Sequence, residues 1–251
     1  MLTEERQSFI INQLNRTSVI EVKDLVQQLN VSESTIRRDL SQLEQAGQLI
    51  RIHGGAKRIY QLDQDMPLAE RTTSYHEVKE LIAQEAASRV ESGDTIFLDA
   101  GTTTYEMIPY LAEVEGVKVI TNGLAQAQRL AEYQMESILL GGRLKVRTQA
   151  IVGAITIRQL SSYRFNKAFI GINSIDLTYG LTTPDEEEGT IKRLAHQAAN
   201  EAYFLADHSK FDKVSFYQVR QLENARVITD QLTPNQRTGY QAVAHIKEVT
   251  Q

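Results

Sequence analysis

Apolar positions recur at helical spacing in three short bursts at the start of the chain. In "TEERQSFIINQL" (3–14), Phe9, Ile10 and Leu14 share one face. Thr3 can cap that helix, and Glu4 and Glu5 favour its positive end. Val22, Leu25, Val26 and Leu29 repeat at i, i+3, i+4 and i+7, which predicts a second helix over 21–29. Asn30 and Val31 make a tight connection. Ser32 then caps a third helix, with Glu33 in its first turn and Ile36, Leu40 and Leu43 as its buried stripe. Gly47 suits the left-handed position that ends it. The next stretch, "QLIRIHGGAKRIY" (48–60), reads as a small β-hairpin, with Leu49 and Ile52 apolar and Gly54–Gly55 as the turn.

Residues 60–76 are polar, carry Pro67 and lack periodicity, so a linker is expected over 59–76. Helical period returns over 77–92, with Val78, Leu81, Ile82, Ala86 and Val90 inward. Short apolar runs then alternate with helical segments. The strands expected are 95–99, 117–121, 137–141, 167–171, 202–206 and 225–229; the helices are 104–113, 123–133, 153–162 and 186–200. Such alternation predicts a parallel sheet covered on both faces. The expected division is therefore 1–58, 59–76 and 77–251.

Composition narrows the function. The 251 residues include no cysteine, which removes disulfides, thiolate nucleophiles and cysteine-bound zinc and fits a reducing cytoplasm. No apolar run approaches the ~20 residues that span a bilayer, and "MLTEERQSF" lacks a signal-peptide core, so neither membrane insertion nor secretion is expected. The five histidines show no metal-ligand spacing, and neither a metal nor a cofactor is expected. Net charge is -5, yet residues 1–58 hold eight Lys and Arg against seven Asp and Glu. Local clusters matter more than the total.

Those clusters lie on the third helix and the hairpin. With Ile36, Leu40 and Leu43 inward, Ser34, Thr35, Arg37, Arg38 and Ser41 fall on or near the exposed side. Ser32 caps the helix; Arg51, His53, Gly54, Lys57 and Arg58 border the turn. Hydroxyl and guanidinium groups donate to phosphates and to base edges, and a bidentate arginine on guanine is the commonest specific contact. A short helix, a tight turn and a second helix so decorated, followed by a basic hairpin, describe a winged helix-turn-helix. The bland alternative is a three-helix bundle with a solvated face, in which either arginine of the pair meets Asp39 or Glu33.

"VSESTIRRDLSQLEQAGQLIRIHGGA" (31–56) closely resembles the signature of the DeoR family of bacterial transcriptional regulators. The resemblance implies that the winged helix-turn-helix binds operator DNA.

In the larger segment the polar motifs fall at expected strand ends, where open parallel sheets bind ligands. "FLDAGTTTYEM" (97–107) sets Asp99, Gly101, Thr102, Thr103 and Thr104 between a strand and a helix. Hydroxyls and helix N–H groups there can cradle a phosphate, though the lysine and spacing of a P-loop are missing. Asp99 would cap the loop or accept from sugar hydroxyls. Thr121, Asn122 and Gly142 follow other strands. Arg143, Lys145, Lys192 and Lys210 offer positive charge; Asn173, Asp176 and Asp207 can read hydroxyls. The alternatives are an ordinary capped turn and solvated lysines.

The DeoR resemblance runs through this region as well. It implies a domain like the fold of ribose-5-phosphate isomerase and glucosamine-phosphate deaminase, used to sense a phosphorylated sugar. The DAGTT loop, Thr121–Asn122, the Gly141–Gly142 turn, Lys192 and Asp207/Lys210 would line the site. "FLDAGTTTYEM", "GLTTPDEEE" and "ADHSKF" look most like fructose-operon repressors of low-GC Gram-positive bacteria, whose expected effector is fructose 1-phosphate.

A related isomerase raises turnover as a rival. Glu187, Glu188, Asp176 and Lys192 could act as bases, but "GINSID" carries Asn173 where the isomerase pattern has a carboxylate, and an amide is no general base. His208 beside Asp207 and Ser209 makes no triad by adjacency. The expectation is a non-enzymatic repressor; an activator would bind DNA in the same way. Because one small domain neutralises few phosphates, a homodimer or homotetramer on paired half-sites is expected.

Overall fold

A computed structural model describes residues 2–17, 19–59 and 74–249. The expected linker lies largely outside the described residues. The chain forms two units, Met1–Gln61 and Leu62–Gln251.

The first unit runs α1 (Thr3–Thr17), β1 (Val19–Glu21), α2 (Val22–Leu29), α3 (Glu33–Gln45), β2 (Leu49–Ile52) and β3 (Gly55–Arg58). Ile10, Leu14, Leu25, Ile36, Leu40, Leu43 and Leu49 form its core. Asn30 adopts φ 50 to end α2, and Gly47 adopts φ 67 after α3. Ser32 Oγ accepts from the Thr35 N–H at 3.2 Å, the expected cap. The sheet has a third strand that the sequence pattern did not announce: β1 pairs antiparallel with β3 in the order β1-β3-β2. Three residues are too few to display an alternation. Asp39 lies inside the buried stripe of α3. Arg6 donates to it from Nε at 2.5 Å and from a terminal nitrogen at 3.0 Å, tying α1 to α3.

The second unit begins α4 (His76–Ala87), β4 (Thr95–Leu98), α5 (Thr102–Tyr105), α6 (Ile108–Leu111), β5 (Lys118–Thr121), α7 (Leu124–Glu132) and β6 (Ser137–Leu139). The antiparallel pair β7 (Arg143–Leu144) and β8 (Ile151–Val152) follows, then α8 (Ala154–Ser161), β9 (Phe165–Gly171), β10 (Ser174–Asp176) and β11 (Gly180–Thr183). The chain continues through α9 (Glu186–Ala198), β12 (Ala199–Leu205), a short turn of 3₁₀ helix (His208–Lys210), β13 (Tyr217–Arg220), β14 (Arg226–Thr229), α10 (Pro234–Gln241) and β15 (His245–Glu248).

Seven of these strands form one parallel sheet in the order β15-β14-β12-β9-β4-β5-β6. Strand alternation sends side chains to two buried layers. Phe97, Ala168, Ile170 and Phe204 enter one; Ile96, Leu98, Phe169 and Leu205 enter the other. The single helix expected over 104–113 is two one-turn helices, because Pro109 has no N–H to continue a ladder. A separate antiparallel sheet, β10-β11-β13, was not anticipated. The larger unit is an α/β domain, and the smaller one is a winged helix-turn-helix.

The strand order fixes where a ligand can enter. From β4 the chain winds outward through β5 and β6; from β9 it winds the other way through β12, β14 and β15. Neighbouring β4 and β9 therefore flank a switch point, where the loops beyond the strand ends part to leave a crevice.

Candidate functional site

Two faces carry chemistry, one on each unit. On the first, α3 presents Ser32, Ser34 and Thr35 as a hydroxyl cluster, with Ser32 Oγ 2.9 Å from Ser34 Oγ and 2.8 Å from Thr35 Oγ1. Arg37 is exposed and folds back along its helix to Glu33, donating at 2.8 and 2.6 Å. Arg38 is exposed, and no partner for it exists among the described residues. The neighbouring arginines thus differ: one is held by a carboxylate and the other is available. Asp39 takes neither, because Arg6 occupies it.

The wing lies against the same helix. Arg51 donates to Ser41 Oγ at 2.8 Å, and its main-chain N–H donates to Glu44 at 2.9 Å. His53 and Lys57 are exposed at the hairpin, and Arg58 is half-buried. Gly54 takes φ 78 at the turn, and its carbonyl accepts from Val22 N–H at 2.8 Å. Arg38, Arg51 and Lys57 thereby belong to one small fold whose hydroxyls and cations point outward.

In the second unit a cavity of about 360 Å³ opens at the β4–β9 switch point. Its volume lies in the range of small-molecule sites. Gly101, Thr102 and Thr103 form one wall; Gly171 and Asn173 form the next; Lys192, Asp207 and Lys210 complete the expected members. The first helical N–H groups of α5 lack intrahelical acceptors by the geometry of any helix start. Gly101 and Gly171 lie opposite each other, and a Cβ on either would stand in ordinary contact, 3.6 Å, with the other's Cα. Lys192 lines the cavity and is held by Asp99, with Nζ 2.5 Å from Oδ2, while the same oxygen accepts from Gly171 N–H at 3.1 Å. Asp99 thus stands behind the wall and orients the lysine. Asp207 caps the 3₁₀ turn by accepting from Ser209 N–H at 3.0 Å, and Lys210 lies 3.8 Å from its carboxylate.

Several expected residues lie off the cavity wall, each for a visible reason. Thr104 is buried and braces the loop: its hydroxyl donates to Asp99 O at 2.6 Å and accepts from Gly101 N–H at 3.1 Å. Thr121 donates to Leu98 O at 2.6 Å, and Asn122 accepts from Ala100 N–H at 3.2 Å, so both support the loop from beneath. Gly142 leads into β7 at φ 152. Arg143 is exposed and pairs with Glu187. Lys145 pairs with Asp185 and lies 3.4 Å from Glu188. Burial alone would lower the Lys145 pKa, but these carboxylates raise it above the ordinary lysine value. Asp176 accepts from the N–H groups of Thr178 and Tyr179, closing the β10–β11 turn.

The cavity also recruits Ser74, Tyr75, Lys79, Glu188, Ser209 and Lys213, none of which was expected there as a ligand contact. Lys79 carried a readable signal. Together with Ile82, Ala83, Ala86 and Ala87 it occupies the buried stripe of α4. A lysine in an apolar stripe needs a polar destination. Among the described residues, His76, Glu80 and Glu106 bring three possible metal-donor atoms within 4.8 Å of one another. Two of these residues are exposed, and Arg129 already donates to Glu106 at 2.9 Å, so the group reads as an ion-pair cluster. No described helix is long and apolar enough to cross a membrane.

A helix-turn-helix unit joined to an α/β sensor unit defines a ligand-responsive transcriptional regulator. Residues 6–61 match the DeoR-like helix-turn-helix domain, and residues 74–231 match the DeoR C terminal sensor domain. The chain belongs to the DeoR family. It is 39% identical over 249 residues to the uncharacterized HTH-type transcriptional regulator FruR of Bacillus subtilis, with 99% of both chains covered. It is 40% identical over 238 residues to the lactose phosphotransferase system repressor of Streptococcus mutans, covering 92% of this chain and 93% of the relative. Among solved structures it is similar to ribose 5-phosphate isomerase A from Methanocaldococcus jannaschii, with 22% identity over 55% of each chain and a TM-score of 0.42.

Proposed function

We propose that this protein is a cytoplasmic repressor of a sugar-utilisation operon, released from its operator by a phosphorylated sugar, with fructose 1-phosphate the first candidate. The observation that carries the reading is the composition of the switch-point cavity. Lys79, Lys192, Lys210 and Lys213 meet threonine hydroxyls and an amide within about 360 Å³. Lysines and helix-start N–H groups suit a phosphate, while Asn173, Glu188 and Asp207 suit sugar hydroxyls.

The same wall speaks for sensing rather than turnover. Asp99 is committed to Lys192, and Glu188 accepts from Thr148 at 2.7 Å beside Lys145. A general base needs to reach a substrate proton; Asp99 is turned to Lys192 behind the wall, and Glu188 keeps only its second oxygen for a ligand hydroxyl. In the proposed cycle, paired protomers set Arg38 and the wing cations on two operator half-sites. The sugar phosphate binds the off-DNA arrangement more tightly and so shifts the equilibrium away from DNA.

The experiment is thermal unfolding across a panel of fructose 1-phosphate, fructose 6-phosphate and the unphosphorylated sugars. A ligand of the native state raises the midpoint by mass action. A rise confined to one sugar phosphate, matched by weaker operator binding in its presence, is the expected result. A rise with the unphosphorylated sugar alone would overturn the assignment of effector class.

A further inference from the structure

Tyr75 immediately precedes α4 with φ 56 and ψ 37, in the left-handed region. A bulky side chain keeps that conformation only where its surroundings impose it. Here the aromatic ring makes a T-shaped contact with the His208 ring, with centroids 5.0 Å apart and planes at 80°. His208 is itself fixed, since its main-chain N–H and its Nδ1 each lie 2.5 Å from one oxygen of Asp230, just beyond β14.

This contact joins two walls of the cavity. On one side, His208 opens the turn that carries Ser209 and Lys210, both lining residues. On the other, the Tyr75 carbonyl accepts from Lys79 N–H at 3.0 Å, and Ser74 and Lys79 line the same cavity. Residues 74–79 are where the chain enters the sensor domain after the segment leading from the helix-turn-helix.

We propose that the Tyr75–His208 contact couples cavity occupancy to operator release. The proposal rests on the sensor reading above and adds how the signal leaves the site. Lys79 lies on one wall and Lys210 on the other, and an anion that takes hydrogen bonds from both binds most tightly when the two walls are held together. The bound phosphate thereby favours the arrangement in which the two walls are joined and Tyr75 is pinned. A pinned Tyr75 fixes the direction in which the chain enters α4, and that restraint is what the DNA-binding half reads. The ligand gains its leverage from binding one arrangement better than the other.

The test uses the full-length protein and a variant whose changed residue does not line the cavity. His208→Asn keeps a short donor for Asp230 and removes the ring. Operator affinity is measured with and without saturating fructose 1-phosphate, or whichever sugar phosphate of the panel shifts the wild-type midpoint. Allosteric ratios typically span about 5- to 150-fold, and the wild type is expected inside that range. His208→Asn is expected to keep the wild-type operator affinity and the ligand-induced midpoint shift, while its ratio collapses toward one. Tyr75→Asn tolerates the left-handed backbone but lacks the ring; because Tyr75 itself lines the cavity, its ratio is read at a ligand concentration that saturates its own midpoint shift, where it should show the same collapse. Variants that release operator as the wild type does would overturn the coupling role and leave the sensor reading intact. A wild type unmoved by every sugar phosphate would instead sink the sensor reading, and the coupling with it.

Discussion

Arg6 and Asp39 show how much one residue pair can decide. Asp39 sits in the "RRDL" run, where its obvious partners are the two arginines beside it. The structure sends it inward to Arg6, with the Asp39 side chain 1% exposed. Removing one member of a buried pair strands the other charge, which costs on the order of 3–5 kcal/mol. Arg6→Ala is therefore expected to unfold the helix-turn-helix unit at markedly lower temperature, read by circular dichroism; an unchanged midpoint would show that the pair contributes nothing net. His196 gives a pH prediction. Burial first, and then the Arg220 guanidinium 2.9 Å from Nε2, hold its pKa below the ordinary imidazole value. Its Nδ1 is buried with no partner among the described residues. The unfolded chain therefore binds the proton more readily than the folded one. Stability from this group is complete above the ordinary value of about 6.5 and is lost as pH falls from there toward the lowered folded pKa. The melting midpoint should drop on acidification across that window, and His196→Gln should flatten the slope. An equally steep slope in the variant would place the titration elsewhere.

At the scale of elements, the wing depends on a close approach that only glycine permits. A Cβ on Gly55 would stand 2.0 Å from the carbonyl oxygen of Ile20, so β1 and β3 could not pair as they do. Gly55→Ala is expected to abolish operator binding while leaving sugar-phosphate stabilisation of the sensor unit untouched; a variant that still binds operator would show the wing to be dispensable. That strand pairing also marks where the sequence stops being readable. The caps and stripes of α1 to α3 follow from local chemistry, and Ser32, Gly47 and the Leu40 face were legible without tertiary information. The central strands of the parallel sheet were legible because burial on both faces makes them continuous apolar runs. By contrast, β1 is three residues long, and β10, β11 and β13 are short segments with polar positions that exist only by pairing with one another. The cavity was half legible for the same reason. Gly101, Thr102 and Lys192 announce themselves by type and place, whereas Ser74 and Lys213 reach the site through packing that no local pattern encodes. Arg143 and Lys145 misled because a lysine or arginine near a strand end cannot reveal from sequence which carboxylate it will meet.

The whole molecule must reconcile a net charge of -5 with a polyanionic partner. It does so by division: the acidic excess lies beyond residue 58, and exposed cations without a carboxylate partner among the described residues, such as Arg38, sit on the helix-turn-helix. Arg38→Ala is expected to lose operator binding by about 1–3 kcal/mol per half-site while sugar-phosphate stabilisation stays as in the wild type. Lys210→Ala should do the converse, binding operator normally but no longer responding. Loss of both activities in both variants would mean that the two units do not divide the work. Salt dependence then counts protomers. Each phosphate contact contributes about 0.9 to the slope of log affinity against log salt on duplex DNA. If Lys57 in the wing contacts one phosphate, Lys57→Ala on a single bound domain lowers the slope by about 0.9; on a symmetric pair the same substitution occurs twice and the slope falls by about 1.8. The larger change is expected, because one domain of this size offers too few cations to hold an operator alone at physiological salt. A change of the smaller size would mean that a single winged helix meets the DNA, and that the tightness of binding has to come from base contacts by Arg38 and its neighbours instead.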